Sequence, residues 1–275
     1  MTGVRTTPTG GDVHVWETAG TPRALVQLQH GYSEYAERFV TSHNTLIPHL
    51  VELGFEVWAA DLEGHGRAPG RRGSLDARRA VIDHVLLRRR MRARGLPVLL
   101  FGHSLGGLIT AGSVTVDPAD VDGVVLTAPA LLPLPPPPVR AAVDLLGLLL
   151  PTVPAPLPKQ PPSRLTHLTE QIESLAEDPL FFRGRLPMRV AATALEVNAG
   201  VRRRIAHWRT PCLVVHGTED TVTDPEQSRL FVESLPVDDK EFHPVEGGYH
   251  ELLHDTAGDR VLDLITTWLE ARTKR

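Results

Sequence analysis

A serine between two glycines is the first candidate for chemistry in this chain of 275 residues. Residues 102–106 read Gly-His-Ser-Leu-Gly, which matches the G-x-S-x-G pattern of a nucleophilic serine. An apolar run at residues 98–101 precedes the serine, and a helical pattern at residues 105–116 follows it. A tight turn between a strand and a helix exposes the hydroxyl at the positive end of the helix dipole. The motif and its context predict that Ser104 is a nucleophile rather than a passive serine in a glycine-rich turn.

A serine nucleophile needs a histidine base, and the base needs a carboxylate that orients it. On a strand–turn–helix framework the chain order is serine, then the acid, then the histidine. The acidic pair Glu219-Asp220 follows an apolar run at residues 213–216, where the acid is required. Asp220 is the predicted acid, with Glu219 and Asp224 as alternatives. His250 follows the last predicted strand and its loop, so it is the predicted base.

Two backbone amides must stabilise the oxyanion that forms on an attacked carbonyl group. One belongs to the residue after the nucleophile, which is Leu105. The other is expected in the loop after the predicted strand at residues 24–29, where residues 29–32 read Gln-His-Gly-Tyr. The glycine lets this loop turn an amide inward, so Tyr32 is the predicted second donor. His30 is predicted to be a hydrogen-bonded scaffold residue.

Residues 250–254 read HELLH and match H-E-x-x-H, in which two histidines of one helix bind zinc. Two glycines shortly upstream leave no long helix leading into His250, and the longer zinc-protease form of the motif is absent. A zinc site would also leave Ser104 unexplained. We therefore predict no metal and no cofactor. Glu251 is then expected at a helix start, and His254 is expected to be an ordinary histidine.

Charge and composition limit the remaining classes of function. The chain has 29 basic and 33 acidic residues, a balance of −4 that argues against a dedicated nucleic-acid binder. Ten arginines lie between positions 67 and 94, and the last five, from Arg88 to Arg94, predict a solvated helix end. Contact with anionic lipid or substrate head groups is the alternative. Cys212 is the only cysteine, so no disulfide framework is expected.

The apolar stretches are too short and too interrupted by proline to span a bilayer. The first residues show no apolar core of a signal peptide. The expectation is a cytoplasmic protein, with peripheral contact to membranes as an option.

Short runs rich in valine and leucine alternate with helical patterns along most of the chain. This alternation predicts an α/β protein whose mainly parallel central sheet has helices on both faces. The predicted strands are residues 13–17, 24–29, 56–60, 98–101, 123–127, 213–216 and 241–243. The predicted helices of this part are residues 36–53, 76–94, 105–116, 225–235 and 259–272.

The alternation stops at residues 130–209, where prolines and helical pieces at residues 164–176 and 189–207 replace the strands. We predict an α/β core formed by residues 1–129 and 210–275, with residues 130–209 as a helical insertion over the sheet. An apolar helix is predicted within this insertion near residues 139–150. It either packs on the core or presents an apolar face to substrate or membrane.

Several stretches together resemble one known family. They read HGYSEYAERF, AADLEGHGRAPGRRG, GHSLGG, DPLFFRG, HGTEDTVTDP and GYHELLHD. They resemble the α/β-hydrolase fold, and within it the monoacylglycerol lipase and lysophospholipase branch, also called the serine aminopeptidase S33-like group. The resemblance covers the chain from about residue 13 onward. It implies that residues 1–129 and 210–275 form an α/β-hydrolase core, and that the helical insertion, residues 130–209, is a lid that forms an apolar tunnel for an acyl chain.

The resemblance also implies a polar cluster beside the nucleophile that receives a glycerol head group. The matching positions are Glu34, Arg38 and His103, although Glu34 and Arg38 are spaced as a helical ion pair as well. Tyr35 departs from the histidine that many relatives carry, and the run PLPPPP at the start of the lid has no place in the family pattern.

Ser104, Asp220 and His250 together favour a cofactor-independent serine esterase that acts on a lipophilic ester, with monoacylglycerol as the leading substrate. The alternatives are a lysophospholipase or general carboxylesterase, an S33-type aminopeptidase, and a non-catalytic binding protein on the same fold. The expected partners are the small ester itself and a lipid interface that the lid contacts transiently.

Overall fold

In the computed structural model, which describes residues 2–6, 12–158 and 161–273, eight strands form one sheet in the order 1-2-4-3-5-6-7-8. Strands 3 to 8, numbered in chain order, pair in parallel with one another. Strand 1 pairs antiparallel with strand 2, and strand 2 pairs antiparallel with strand 4, at one edge of the sheet. The predicted α/β class with a mainly parallel sheet is confirmed. The strands are β1 (Thr2–Thr6), β2 (Asp12–Trp16), β3 (Ala24–Gln29), β4 (Phe55–Ala60), β5 (Val98–His103), β6 (Gly123–Thr127), β7 (Cys212–Gly217) and β8 (Lys240–Val245).

All seven predicted strands are present, and β1 is the only described strand that the sequence pattern does not predict. This strand reads TGVRT, with one large apolar residue, so it carries no alternating pattern. It lies at the sheet edge and, among the described strands, pairs only with β2.

Helices cover both faces of the sheet. They are α1 (Arg38–Thr41), α2 (Leu46–Glu52), α3 (Ala77–Arg92), α4 (Leu105–Val116), α5 (Pro137–Leu149), α6 (Thr169–Glu177), α7 (Met188–Arg204), α8 (Pro225–Ser234) and α9 (Gly258–Ala271). Short 3-10 turns occur at His43–Thr45, Pro162–Arg164, Ile205–His207 and Leu252–His254.

Each face of the sheet packs into its own apolar cluster, because successive side chains of a strand point to opposite faces. Leu25 and Leu100 lie in one cluster with residues of α3 and α4. Their neighbours Val26 and Phe101 lie in the other cluster with residues of α2 and α9. Both faces are therefore buried, which is why the central strands are apolar at nearly every position.

The single helix predicted at residues 36–53 is wrong. The chain forms α1, then the 3-10 turn, then α2, and residues 43, 44 and 45 all have φ between 47° and 51°. Left-handed backbone is unfavourable for residues with side chains, so tertiary contacts must hold this break. One such contact is the hydrogen bond of 2.7 Å from His43 Nε2 to Glu34. The apolar pattern continues through the break, and the sequence therefore does not reveal it.

The predicted solvated helix end is also wrong for Arg88, which is 1% exposed. Its guanidinium donates to Ser113 Oγ at 3.1 Å and to the carbonyl oxygen of Asp117. Position 88 follows Val81 by seven residues and therefore lies on the same buried face of α3. Arg89 points outward and pairs with the Asp117 carboxylate at 2.7 Å.

In the described residues between 130 and 209, the only pairing of extended chain is an isolated bridge between Pro154 and Pro187. Helix α7 packs on α3 and α4, and α5 packs on α7. Helix α5 has no buried residue, and Leu148 and Leu149 are 77% and 64% exposed. The two predicted alternatives for this helix were packing on the core and presenting an apolar face outward. In the structure α5 presents an apolar face outward. Within the described ranges no helix has the length and apolar content needed to cross a bilayer.

Candidate active site

Ser104 occupies the sharp turn between β5 and α4, with φ 53° and ψ −120°. A positive φ is costly for a residue with a side chain, and such strain is typical of functional turns. Small neighbours make the turn possible. A Cβ on Gly106 would lie 2.2 Å from the carbonyl oxygen of Gln29, and one on Gly102 would lie 2.6 Å from Thr110 Oγ1. The start of α4 is therefore pressed against the end of β3.

The side chains of Ser104, His250 and Asp220 form one chain of hydrogen bonds. The serine Oγ lies 2.9 Å from His250 Nε2, and His250 Nδ1 lies 2.7 Å from Asp220 Oδ2. Three parallel strands, β5, β7 and β8, end just before these residues and deliver them to the same edge of the sheet. The alternative acids lie elsewhere, because Glu219 is exposed and Asp224 caps the N-terminus of α8.

The Asp220 carboxylate is buried among hydrogen-bond donors. It accepts from His216 Nε2 at 3.0 Å, from Thr223 Oγ1 at 2.8 Å and from the Val222 amide at 2.7 Å. Burial alone would raise the pKa of Asp220, but the charge of His250 and hydrogen bonds from both histidines hold this pKa well below its usual range. His216 is not among the predicted site residues; the signal in the sequence is a histidine at a strand end, four residues before the acid.

His250 is buried, yet its pKa is raised above the ordinary value of histidine. Burial lowers this pKa, but the charge and hydrogen bond of Asp220 and the charges of Glu251 and Glu34 outweigh it. Protonation of His250 is therefore favourable at the moment when a proton leaves Ser104. The arrangement can thus perform general base and then general acid catalysis.

The oxyanion loop, residues 30–35, lies against the nucleophile. A Cβ on Gly31 would lie 3.0 Å from the Cβ of Ser104. Within the described part of the chain, no hydrogen-bond acceptor takes the amides of Tyr32 and Leu105. Leu105 opens α4, whose first amides have no partner inside the helix. His30 accepts a backbone N–H on Nε2, as expected of a scaffold residue. The two amides remain the predicted oxyanion donors.

The residues predicted to receive a head group lie beside the triad, but each is at most 4% exposed. Glu34 accepts from His43, and Arg38 lies 3.7 Å from Glu34. Glu34 precedes α1, so this contact is not the helical ion pair considered as the alternative. The His103 ring centroid lies 5.1 Å from that of His250, and burial lowers the pKa of His103 to about 4. A head-group role for these residues stays a prediction.

The residues of the HELLH motif contact two different sets of partners. His250 bonds to Ser104, whereas Glu251 and His254 turn toward His43 in a buried cluster. His254 Nδ1 lies 3.0 Å from Glu251 Oε2, and its ring stacks on that of His43 at 4.5 Å. The expectation of a helix-start glutamate is met at a short 3-10 turn, since Glu251 directly precedes Leu252–His254. The expectation of an ordinary histidine is wrong, because His254 lies in this buried cluster. His43 belongs to the chain break at residues 43–45 and is more than 200 residues from His254, so the local sequence does not indicate the cluster.

Donor atoms of His43, Glu251 and His254 lie within 4.8 Å of one another, which is close enough for a shared metal ion. Two features disfavour a cation there. The two imidazole planes differ by only 11°, so stacked nitrogens do not converge on one point in both planes. Arg38 Nη2 lies 3.8 Å from Glu251 and already supplies positive charge. The absence of a metal stays a prediction.

A family model described as serine aminopeptidase, S33, matches residues 20–257. The chain belongs to this family. The matched range contains all three members of the hydrogen-bonded triad and both predicted oxyanion donors. The family membership inferred from the sequence motifs is confirmed.

Two relatives are similar over nearly the whole chain. A monoacylglycerol lipase from Mycolicibacterium smegmatis is 28% identical over 260 residues, which cover 93% of this chain and 91% of that protein. A human monoglyceride lipase is 29% identical over 266 residues, which cover 94% of this chain and 86% of that protein.

Solved structures agree with the fold. The crystal structure of a Paleococcus ferrophilus monoacylglycerol lipase matches with a TM-score of 0.82 at 30% identity, covering 94% of this chain and 99% of that one. A soluble variant of a Saccharomyces cerevisiae monoglyceride lipase, in complex with a substrate analogue, gives a TM-score of 0.82 at 22% identity. It covers 99% of this chain and 96% of that one, and it shows a shared fold. The α/β-hydrolase fold is thereby confirmed.

Replacing Glu251 by glutamine tests the electrostatic setting of the base. The substitution removes a negative charge that raises the pKa of His250, so this pKa should fall. A general base acts in its neutral form, and a lower pKa keeps it neutral at lower pH. The acidic limb of the kcat/KM profile on a soluble ester should therefore move to lower pH. The exposed Glu219→Gln is the control and should leave the limb in place, whereas an unmoved limb in an active Glu251→Gln enzyme would contradict the account.

Proposed function

We propose that this protein is a serine hydrolase that cleaves carboxylic esters of lipophilic substrates, with monoacylglycerol as its leading substrate. The observation that carries the proposal is the continuous hydrogen-bonded chain from Ser104 Oγ through His250 to Asp220. The names of the relatives from M. smegmatis, human and P. ferrophilus support the substrate class.

In the first half of the reaction, Ser104 Oγ attacks the carbonyl carbon of the ester while His250 Nε2 takes the hydroxyl proton. A C–O bond to the serine forms, and the carbonyl oxygen becomes an oxyanion. The amides of Tyr32 and Leu105 would donate to this oxygen. Asp220 stabilises the imidazolium through its 2.7 Å hydrogen bond to Nδ1.

The tetrahedral intermediate then expels the alcohol, which is glycerol when the substrate is a monoacylglycerol. His250 gives its proton to the leaving oxygen, and the acyl group stays on Ser104. Water attacks this acyl-enzyme by the same route, with His250 as base and then as acid. A free fatty acid and the original serine result. His250 carries out every proton transfer in this series of reaction steps.

The lid, residues 130–209, is proposed to cover the acyl chain and to meet the lipid phase. Helix α5 supports this role because leucines along it are exposed rather than packed into the core. Exposed apolar side chains on a surface helix are typical of proteins that dip into a lipid interface. A cytoplasmic protein with transient peripheral contact to lipid remains the prediction.

An aminopeptidase activity would need a free carboxylate to bind the substrate's amino group. Glu34 is the nearest predicted candidate, but it is 2% exposed and already accepts from His43 and from the Gly31 amide. This pairing favours ester over peptide substrates. Lysophospholipids and simple carboxylic esters share the scissile bond with monoacylglycerols and are the alternative substrates.

Hydrolysis assays on a substrate panel test the function. Wild type should hydrolyse monoacylglycerols and short nitrophenyl esters, and Ser104→Ala should lower kcat by about 10⁴-fold or more, because the covalent route is lost. EDTA should leave wild-type activity unchanged. Ester hydrolysis that survives Ser104→Ala and disappears with EDTA would contradict the proposal. Activity on aminoacyl amides alone would make the protein a peptidase.

Replacing Leu148 and Leu149 together by serine tests the lipid contact of α5. Rates on monoacylglycerol in phospholipid vesicles should fall about 3- to 10-fold, because apolar area that enters the interface is lost. Rates on soluble nitrophenyl acetate should not change. Val116→Ser removes an apolar side chain that is 46% exposed outside the lid, and it serves as the control. An equal loss on the soluble ester, or an equal loss in the control, would refute the contact.

A further inference from the structure

One part of the lid contacts the catalytic loops far more closely than α5 does. We call residues 165–182 the brace; it consists of α6 and the segments on either side of it. We call residues 249–255 the histidine loop, because it carries His250. One end of the brace meets the histidine loop, and the other end meets the oxyanion loop.

The first end of the brace is hydrogen-bonded to the histidine loop. The Glu251 amide donates to the carbonyl oxygen of Leu165 at 2.8 Å. Thr166 Oγ1 donates to the carbonyl oxygen of His254. These two hydrogen bonds hold the residue directly after His250 and the turn that follows that residue. The backbone that aims the imidazole is therefore held by the lid rather than by the core alone.

Asp255 joins the same two segments through its side chain. It accepts from the His167 amide at 3.0 Å and from His167 Nδ1 at 2.8 Å, and its other oxygen accepts from the Tyr249 amide at 2.9 Å. The rings of His167 and Tyr249 stack with centroids 3.6 Å apart. Tyr249 directly precedes His250, so the catalytic histidine is fixed from both sides by contacts to the brace.

The second end of the brace holds the oxyanion loop. The Phe182 amide donates to the carbonyl oxygen of Ser33 at 2.8 Å, and Ser33 has a φ of 76°. The Phe182 ring packs edge-on against Tyr32, with centroids 5.9 Å apart. A strained residue persists only where its surroundings hold it. Ser33 directly follows the predicted oxyanion donor, so this bond bears on the direction of the Tyr32 amide.

Asp178 adds a second contact at this end. Its Oδ2 accepts from the Tyr35 hydroxyl at 3.0 Å and lies 3.5 Å from Arg38 Nη1. Arg183 caps α6 by donating to the carbonyl oxygens of Leu175 and Asp178 at 3.0 and 2.7 Å. The helix between the two ends is therefore closed at its C-terminus and tied at the turn that follows.

We propose that the brace is a positioning element, which holds the histidine loop and the oxyanion loop in register and stays in place during the reaction. The inference rests on the proposed ester hydrolysis. Within the lid, the proposal distinguishes a fixed part, residues 165–182, from an outward apolar part that contains α5. His167, Asp178 and Phe182 are its positioning residues. Misplacing a catalytic group by about 1 Å can cost about 100-fold in rate, so loosening either end should slow the chemical step.

The test compares His167→Ala, Asp178→Ala and Phe182→Ala with Glu173→Ala, an exposed residue of α6. Each enzyme is assayed on nitrophenyl acetate and on a long-chain monoacylglycerol, and kcat is expressed per active site titrated with a phosphonate. Each brace variant should lose about 10- to 100-fold in kcat by the same factor on both substrates, with KM changed by less than about threefold. Glu173→Ala should match wild type.

The outcomes separate the brace from a gate and from a merely structural role. A loss confined to the long-chain ester, or a gain on it, would mean that this segment opens for the acyl chain, and it would overturn the proposal. A kcat per titrated site equal to that of wild type would also overturn it. His167→Asn restores a donor to Asp255 and should recover most of the rate, which keeps the test informative where His167→Ala folds poorly.

Failure of the proposed function is distinguishable from failure of the brace. If wild type hydrolyses no ester, the rate of Ser104 phosphonylation replaces kcat, because it needs the same nucleophile and oxyanion donors without turnover. Brace variants should then be phosphonylated about 10-fold or more slowly than wild type and Glu173→Ala. Equal phosphonylation rates would refute the brace.

Discussion

The 2.7 Å hydrogen bond between His250 and Asp220 is the interaction on which the rest of the site depends. A buried carboxylate is costly unless donors surround it. His216, Thr223 and a backbone amide meet this requirement, so Asp220 remains charged. Because Asp220 is charged, it holds the Nδ1 side of His250, which presents its unprotonated Nε2 to Ser104. The same charge stabilises the imidazolium that forms when His250 accepts the proton. The strained turn at Ser104, the histidine loop and the oxyanion loop contribute to catalysis only together with this pair.

A second buried group of charges lies behind the triad. Glu34 and Glu251 both have pKa values held below the ordinary range despite their burial, since His43, His254 and Arg38 lie beside them. These carboxylates in turn favour the protonated form of His250. The second histidine of HELLH belongs to this group and not to a zinc helix. A motif that matches a metal site in its letters thus contributes to the electrostatics of a serine site.

Local patterns sufficed for seven of the eight described strands, the serine turn and the order of the triad, because strand, turn and helix around Ser104 are continuous in the sequence. Several features that the sequence did not reveal depend on more distant partners. Arg88 is buried because Ser113 and Asp117 lie within its reach. The break before α2 is held in part by the hydrogen bond between His43 and Glu34, and the apolar period of the helix conceals it. The brace likewise joins segments more than 80 residues apart.

The central claim is that Ser104 carries the acyl group between two half-reactions. Mixing wild type with a nitrophenyl ester, quenching in acid during the first turnover and mapping the peptides by mass tests it most directly. The account predicts an acyl group on the peptide that contains Ser104, appearing together with the first equivalent of nitrophenol. An acyl group on a different residue, formed at the same rate as nitrophenol, would contradict it.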